Sequence, residues 1–317
     1  MSAEPEKARP LAVSLHVTVL GTGTMGQGIA QVAAQSGHTT RLFDSVEGRA
    51  LTAVRGISAQ LEKLISKGKV TGDQRHQTMS RLSAATDAKD ACGGADVVIE
   101  AVPESMALKL EVLLPLLDVV GAHTLIATNT SSLSVTELGA RLGIPERTVG
   151  LHFFNPPPVM ELVEVVRGLG TSEATIARAL DFARGLGKTP IVVRDVPGFA
   201  TSRLGVILGV EAMRMVEMGV ASAADIDRGM ELGYRHPMGP LKLTDLVGLD
   251  VRLAILDHLT KEIGEQFRPP PILRSMVRAG KLGKKSGEGF YRWENGVAVA
   301  SDALHRRQDR AGHSSTQ

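Results

Sequence analysis

Three residue types suited to moving a proton on and off a hydroxyl stand within one stretch of the chain: Ser131, His152 and Glu164. An imidazole titrates near neutrality, so His152 can act as general base on a hydroxyl and return the proton in the reverse direction. Glu164 can accept from the far ring nitrogen, fixing the tautomer and stabilising the imidazolium. Ser131, after Asn129-Thr130, offers a hydroxyl to a substrate oxygen. A second constellation lies near the start of the chain. Gly21-Thr22-Gly23-Thr24-Met25-Gly26 fits G-x-G-x-x-G, and Asp44 follows 23 residues after Gly21. Gly21 permits a tight turn, Gly23 lets a pyrophosphate approach the backbone, and Gly26 lets helix and strand pack closely. Thr24 and Met25 complete the loop that opens a helix, whose free N–H groups and dipole favour phosphate. Asp44 suits two ribose hydroxyls and would repel a 2′-phosphate, and Ser45 rather than an arginine follows it, so NAD is expected over NADP. Together the two constellations point to oxidation of a hydroxyl, the hydride leaving for NAD while His152 takes the proton. A Ser-His-acid hydrolase is set aside because no G-x-S-x-G elbow is present.

Each residue also has a plainer reading. His152, before Phe153-Phe154, can be a satisfied core residue, and Glu164 a strand carboxylate facing solvent. Ser131 can cap the short helix that follows it. Spacing alone leaves these readings open.

The elements that must position these residues alternate. His16–Leu20 reads as a buried strand, Gly26–Ser36 as a helix stopped by Gly37, and Thr39–Phe43 as a second strand, which makes a right-handed βαβ unit. Residues 47–84 read as two amphipathic helices with a turn near Val70–Gly72. Further strands are expected at Asp96–Ala101, Thr124–Thr128, Thr148–Phe154, Met160–Val166 and Pro190–Val193. Helices are expected at Leu108–Val120, Val135–Leu142 and Ser172–Leu186. This is the pattern of an α/β, Rossmann-type doubly wound sheet. After Asp195-Val196-Pro197-Gly198 the period changes: Phe199–Met218, Ala223–Leu232, Leu241–Leu246 and Val251–Gln266 read as helices, with no strand among them. The expected organisation is a flexible tail at 1–12, an NAD-binding domain at 13–196 with the helical pair inserted at about 47–84, a smaller all-helical domain at 197–303 and a flexible tail at 304–317.

Composition sets the outer limits. A chain of 317 residues is long enough for two domains, and 43% hydrophobic with 22% charged residues excludes a largely disordered chain. No apolar run reaches the ~18–20 residues of a membrane helix, and the start MSAEPEKARP lacks the apolar stretch of a secretory signal. One cysteine, Cys92, precludes an intrachain disulfide and fits the cytoplasm. It lies beside Gly93-Gly94 and reads as structural. A net charge of +2 gives nucleic acid no attraction, and nine histidines without metal-ligand spacing give no metal site.

The segments GTGTMGQGIAQVAAQSGH, EAVPESMALK, TNTSSL, GLHFFNPPPVMELVEVV, DVPGFATSRL, HPMGPLKLTDLVGLD and LGKKSGEGFYRW occur in order over roughly residues 14–293. Together they resemble the 3-hydroxyacyl-CoA dehydrogenase family, in its short bacterial 3-hydroxybutyryl-CoA dehydrogenase form; HFFNP followed by the VEV strand is the most specific part. The resemblance implies an NAD domain with a protruding helical pair, a helical C-terminal domain that forms a homodimer, and NAD-dependent oxidation of the L-3-hydroxyl of an acyl-CoA to a 3-ketone. It gives His152 the role of base, Glu164 that of its acidic partner and Ser131 that of hydrogen-bonding the substrate oxygen. Glu104, Lys109, Asn155 and Lys285 match positions lining the NAD cleft. Lys67, on the second expected helix of the 47–84 pair, matches a CoA-contacting lysine and clusters with Lys63 and Lys69. Two positions depart from the pattern. The family's CoA-contacting serine falls on Gln60, and Ser202 stands where the family carries an asparagine that holds the substrate carbonyl end. These departures keep other readings in view: a dehydrogenase of hydroxyacyl groups on an acyl carrier protein or of another hydroxy substrate, and, more remotely, a non-catalytic NAD-binding protein.

Overall fold

The structure, a computed structural model, describes residues 14–300; both expected tails lie outside the described residues. The chain divides into two compact units after Val196.

In the first unit, β1 (His16–Leu20), α1 (Thr24–Gln35) and β2 (Thr39–Phe43) form the βαβ unit, followed by the helical pair α2 (Arg49–Ile65) and α3 (Gly72–Ser80). Then come β3 (Leu82–Ala84), α4 (Ala88–Cys92), β4 (Val97–Glu100), α5 (Met106–Leu113), β5 (Leu125–Thr128), α6 (Val135–Leu142), β6 (Thr148–Phe153), β7 (Leu162–Arg167), α7 (Glu173–Gly185) and β8 (Thr189–Arg194). The eight strands form one sheet in the order β3-β2-β1-β4-β5-β6-β7-β8. The order reverses at β1 and β4, which puts the ligand crevice of a doubly wound sheet beyond their carboxyl ends. β4, β5 and β6 are buried along their whole length, as apolar strands covered on both faces should be. Ser105, Ser134 and Ser172 each accept from the backbone N–H three residues on and so set the starts of α5, α6 and α7.

Parallel pairing fails at one place: β6 and β7 are antiparallel, with His152 opposite Glu164. The short link 154–161 is below the dozen or so residues a parallel crossover needs, so the chain can only turn back. β3 and α4 fall where the sequence suggested a helix running to 84 and then nothing; at three and five residues they are too short to show a period. The helix expected over Leu108–Val120 ends at Leu113 and tightens into a 3₁₀ turn at Leu114–Leu116, because Pro115 has no N–H for the ladder.

The second unit holds α8 (Thr201–Glu217), α9 (Ala223–Gly233), α10 (Pro240–Val247), α11 (Leu249–Glu262) and α12 (Pro271–Arg278) around a core that includes Val210, Leu241, Leu256 and Leu273. It is helical but not wholly so: β9 (Tyr291–Glu294) and β10 (Val297–Ala300) form an antiparallel hairpin. Its turn is Asn295-Gly296, both at positive φ, the residue pair such turns prefer. That dipeptide was the available signal for the hairpin, and α12 had one too, in Pro271 at its first position.

Candidate active site

The glycine loop divides its work between its three glycines. A Cβ on Gly21 would stand 2.6 Å from the Ala101 carbonyl oxygen, and one on Gly26 only 1.9 Å from that of Gly21. These two allow β1, α1 and β4 to meet. A Cβ on Gly23 would meet nothing within 4 Å, so its bareness serves the space outside rather than the packing. α1 starts at Thr24 on Gly23 without a side-chain cap, leaving its first N–H groups for an anion. Beside it opens a cavity of about 420 Å³ lined by Gly21–Met25, Asp44, Ser45, Arg49 and Ala101–Pro103. Asp44 accepts from the Thr22 N–H (3.0 Å) and hydroxyl (2.7 Å) and from the Val46 N–H (3.1 Å). Burial alone would raise its pKa, but these hydrogen bonds and Arg49 hold it below the ordinary value. An ionised carboxylate at the end of β2 and a bare loop over a helix N-terminus fit the ribose and pyrophosphate of NAD. Arg49 was missed in sequence because it lies in the helical insertion, not in the motif.

His152 and Glu164 meet by strand register. His152 Nδ1 lies 2.8 Å from Glu164 Oε2, and the two residues are only 7% and 0% exposed. This excludes a solvent-facing Glu164. A carboxylate at Glu164 can only accept, so Nδ1 is the donor of this contact and, in the neutral imidazole, the lone pair belongs to Nε2. The Phe154 ring packs 4.6 Å, centroid to centroid, from the imidazole.

Ser131 does not cap α6; Ser134 does. Ser131 belongs to a loop gathered by Glu104, whose Oε1 accepts from the Thr130 hydroxyl (2.6 Å), the Ser131 N–H (3.0 Å), the Ser132 N–H (3.1 Å) and the Ser132 hydroxyl (3.0 Å). The Ser131 hydroxyl donates to the same oxygen at 3.5 Å, the longest bond of the set, and its residue is exposed. Burial works to raise the Glu104 pKa, but Lys109 and these donors hold it below the ordinary carboxylate value. Asn129 joins this loop to the next strand, its Oδ1 accepting the Phe153 N–H at 2.9 Å, one residue from His152.

Two other expected positions, Lys109 and Lys67, need correcting. Lys109, expected to line the cleft, is 1% exposed and turned inward, its ammonium 2.9 Å from both carboxylate oxygens of Glu100 and 3.3 Å from Glu104. Four methylenes carry its charge beneath the crevice wall, where Glu100 compensates it. Lys67 is not on the second helix of the pair but in the exposed turn between α2 and α3, because α2 ends at Ile65. Asn155 is exposed just beyond β6. In the second unit, Ser202 is half-buried in the first turn of α8. Lys285 lies in a 3₁₀ turn, 2.6 Å from Asp250 at the start of α11. Cys92 is buried and burial pushes its thiol up to about 12, which removes it as a nucleophile. Among the described residues no His, Cys, Asp or Glu cluster could hold a metal ion.

Comparison with known proteins supports the same chemistry. The family model for the 3-hydroxyacyl-CoA dehydrogenase NAD-binding domain matches residues 16–196, and that for the C-terminal domain matches 198–293. A probable 3-hydroxybutyryl-CoA dehydrogenase of Bacillus subtilis is 44% identical over 280 residues, covering 88% of this chain and 97% of that protein. The crystal structure of (S)-3-hydroxybutyryl-CoA dehydrogenase PaaH1 from Ralstonia eutropha superposes with a TM-score of 0.85 at 40% identity, over 89% of this chain and 100% of that one. FadB2 of M. tuberculosis does so with a TM-score of 0.84 at 42% identity, again over 89% and 100%. The Rossmann sheet, the buried His–Glu pair and both domain matches agree: the chain belongs to the 3-hydroxyacyl-CoA dehydrogenase family.

Proposed function

We propose that this protein is an NAD-dependent dehydrogenase that oxidises the 3-hydroxyl of an L-3-hydroxyacyl-CoA, such as 3-hydroxybutyryl-CoA, to the 3-ketone, reversibly. The observation that carries this reading is the buried 2.8 Å contact between His152 Nδ1 and Glu164. His152 Nε2 takes the hydroxyl proton; Glu164 holds the ring and offsets the charge that develops on it. Ser131, with its N–H tied to Glu104 and its hydroxyl held there only by a long 3.5 Å bond, orients the substrate oxygen. Gly21, Gly23 and Gly26 with the start of α1 receive the pyrophosphate, and Asp44 the ribose. What bound NAD supplies is an acceptor for the hydride leaving the hydroxyl-bearing carbon. In the reverse direction protonated His152 is the acid. Asn155 borders the cofactor and Lys67 meets a CoA phosphate, and the family resemblance gives Ser202 the role of a substrate donor and Lys285 that of a cofactor neighbour.

Two finer statements belong to the same proposal. α8, α10 and α11 expose Leu204, Leu208, Leu243, Leu246, Val247 and Val251, an apolar set suited to a homodimer contact through the C-terminal domain. Light scattering on the eluting protein should give twice the chain mass; a monomer at micromolar concentration overturns this. The protein acts in the cytoplasm; among the described residues no helix is long and apolar enough to cross a membrane.

The decisive assay follows NADH absorbance with 3-hydroxybutyryl-CoA and with the same acyl group on an acyl carrier protein, side by side. The CoA thioester should be oxidised with at least ten-fold higher kcat/KM. Oxidation of the carrier-bound acyl group alone would overturn CoA as the carrier.

A further inference from the structure

We propose that Glu100, a buried carboxylate outside the catalytic pair, is a positioning residue that holds the Ser131 loop in its working geometry through Lys109 and Thr128. The proposal deepens the reading above and rests on Ser131 orienting the substrate oxygen.

Glu100 ends β4, beside Thr128 at the end of β5, and is 0% exposed. A carboxylate offers about four acceptor positions, and all are used here. Oε1 accepts from the Val102 N–H at 2.7 Å and from Lys109 Nζ at 2.9 Å; Oε2 accepts from the Thr128 hydroxyl at 2.6 Å and again from Lys109 at 2.9 Å. Two routes run from there to the same loop. In the first, the Lys109 ammonium also makes an ion pair with Glu104 Oε2 (3.3 Å), and Glu104 Oε1 gathers the N–H groups of Ser131 and Ser132. In the second, Thr128 Oγ1, its own hydrogen committed to Glu100, accepts the Thr130 N–H at 3.3 Å. One cation is thus shared by two carboxylates, the inner one fully buried and the outer one reaching the loop.

A buried ion pair is no general aid to stability, since an apolar pair of the same volume often serves as well. It does fix directions, because a desolvated ammonium must keep its acceptors where they are. At this place, beyond the carboxyl ends of two adjacent strands, the fixed direction is that of the loop bearing Ser131. Neutralising Glu100 leaves Lys109 only Glu104, and draws that carboxylate away from the Ser131 and Ser132 N–H groups.

A double-mutant cycle tests this. Glu100→Gln should lower kcat for 3-hydroxybutyryl-CoA at least ten-fold, with NADH binding changed less than three-fold. In a Ser131→Ala background the same substitution should lower kcat less than three-fold, because its effect passes through Ser131. A merely structural role would lower kcat equally in both backgrounds, and that result overturns the proposal. Thr128→Val, which leaves the Lys109 pair intact, runs the same cycle should Glu100→Gln fail to fold, with the same two outcomes at smaller size. If Ser131→Ala alone leaves kcat unchanged, it is the role of Ser131 that fails, and this proposal with it; a loss on Ser131→Ala with an uncoupled Glu100→Gln removes Glu100 only.

Discussion

Glu164 and Asp245 are both buried carboxylates, one in each unit, at 0% and 1% exposure. Their partners separate them. Glu164 faces a side chain that can gain and lose a proton, His152. Asp245 on α10 faces three fixed donors: the N–H groups of Phe290 (2.8 Å) and Tyr291 (2.9 Å) and the indole N–H of Trp293 (2.9 Å). The first arrangement leaves something to move, and its histidine stands near the carboxyl end of β6, the crevice edge of the sheet. The second leaves nothing to move; it is a clamp that fastens the hairpin segment to α10, close enough that a Cβ on Gly289 would stand 2.2 Å from its carboxylate. Asp227 repeats the clamp, taking the Leu241 and Lys242 N–H groups and the Tyr291 hydroxyl. Burial sets a carboxylate's energetic stakes, and its donor decides whether it serves chemistry or structure.

Substitutions should divide along that line. Glu164→Gln should lower kcat by about 10⁴-fold with little change in thermal midpoint, the scale of losing a carboxylate that fixes a catalytic tautomer; a loss below ten-fold would make Glu164 a clamp like Asp245. Ser131→Ala should cost about 10²-fold in kcat, as removal of one positioned donor does, again with stability kept. Asp245→Ala should instead act on folding. It strands three donors, and at about 1–3 kcal/mol for each orphaned group should destabilise by at least ~3 kcal/mol in denaturant titration.

The pH dependence of that clamp has a definite sign. Burial raises the Asp245 pKa above its ordinary 3.8 despite its three hydrogen bonds, and does the same to Asp227. A carboxyl with a raised folded pKa favours the folded state most when protonated, so its contribution grows as pH falls from the raised value toward 3.8. Asn at 245 cannot titrate, so the stability gap between wild type and Asp245→Asn should widen between pH 7 and pH 4. A gap that narrows contradicts the assignment. The smallest effect expected is at Ser202. Ser202→Asn restores a longer amide donor and should raise kcat on 3-hydroxybutyryl-CoA a few-fold. An unchanged or lower rate would mean that serine is not a weakened donor.

The regions that were legible in sequence are those where one residue's type dictates one local geometry. The glycine loop and Asp44 could be read because tight turn, open approach and close packing each demand glycine at a fixed place. The alternation of strands and helices could be read because long periodic segments carry their own signal. What was not legible depends on direction. Lys109 could not be turned inward from sequence, because its charge is compensated by Glu100, nine residues away along the chain, on another element. The antiparallel β6–β7 pair, which sets His152 against Glu164, follows from the brevity of the link 154–161, a constraint visible in sequence but not in any residue type. The β9–β10 hairpin escaped because its strands are short and only Asn295-Gly296 marks them.

His152→Gln is the most direct test of the proton-transfer pair. Glutamine retains bulk and polarity at a buried position but has no basic nitrogen. Turnover of 3-hydroxybutyryl-CoA should fall by at least 10³-fold, while the Kd for NADH, measured on the same preparation, stays within a few-fold of wild type. Turnover that persists with NADH binding intact would remove His152 from the mechanism and leave its contact with Glu164 as one more structural clamp.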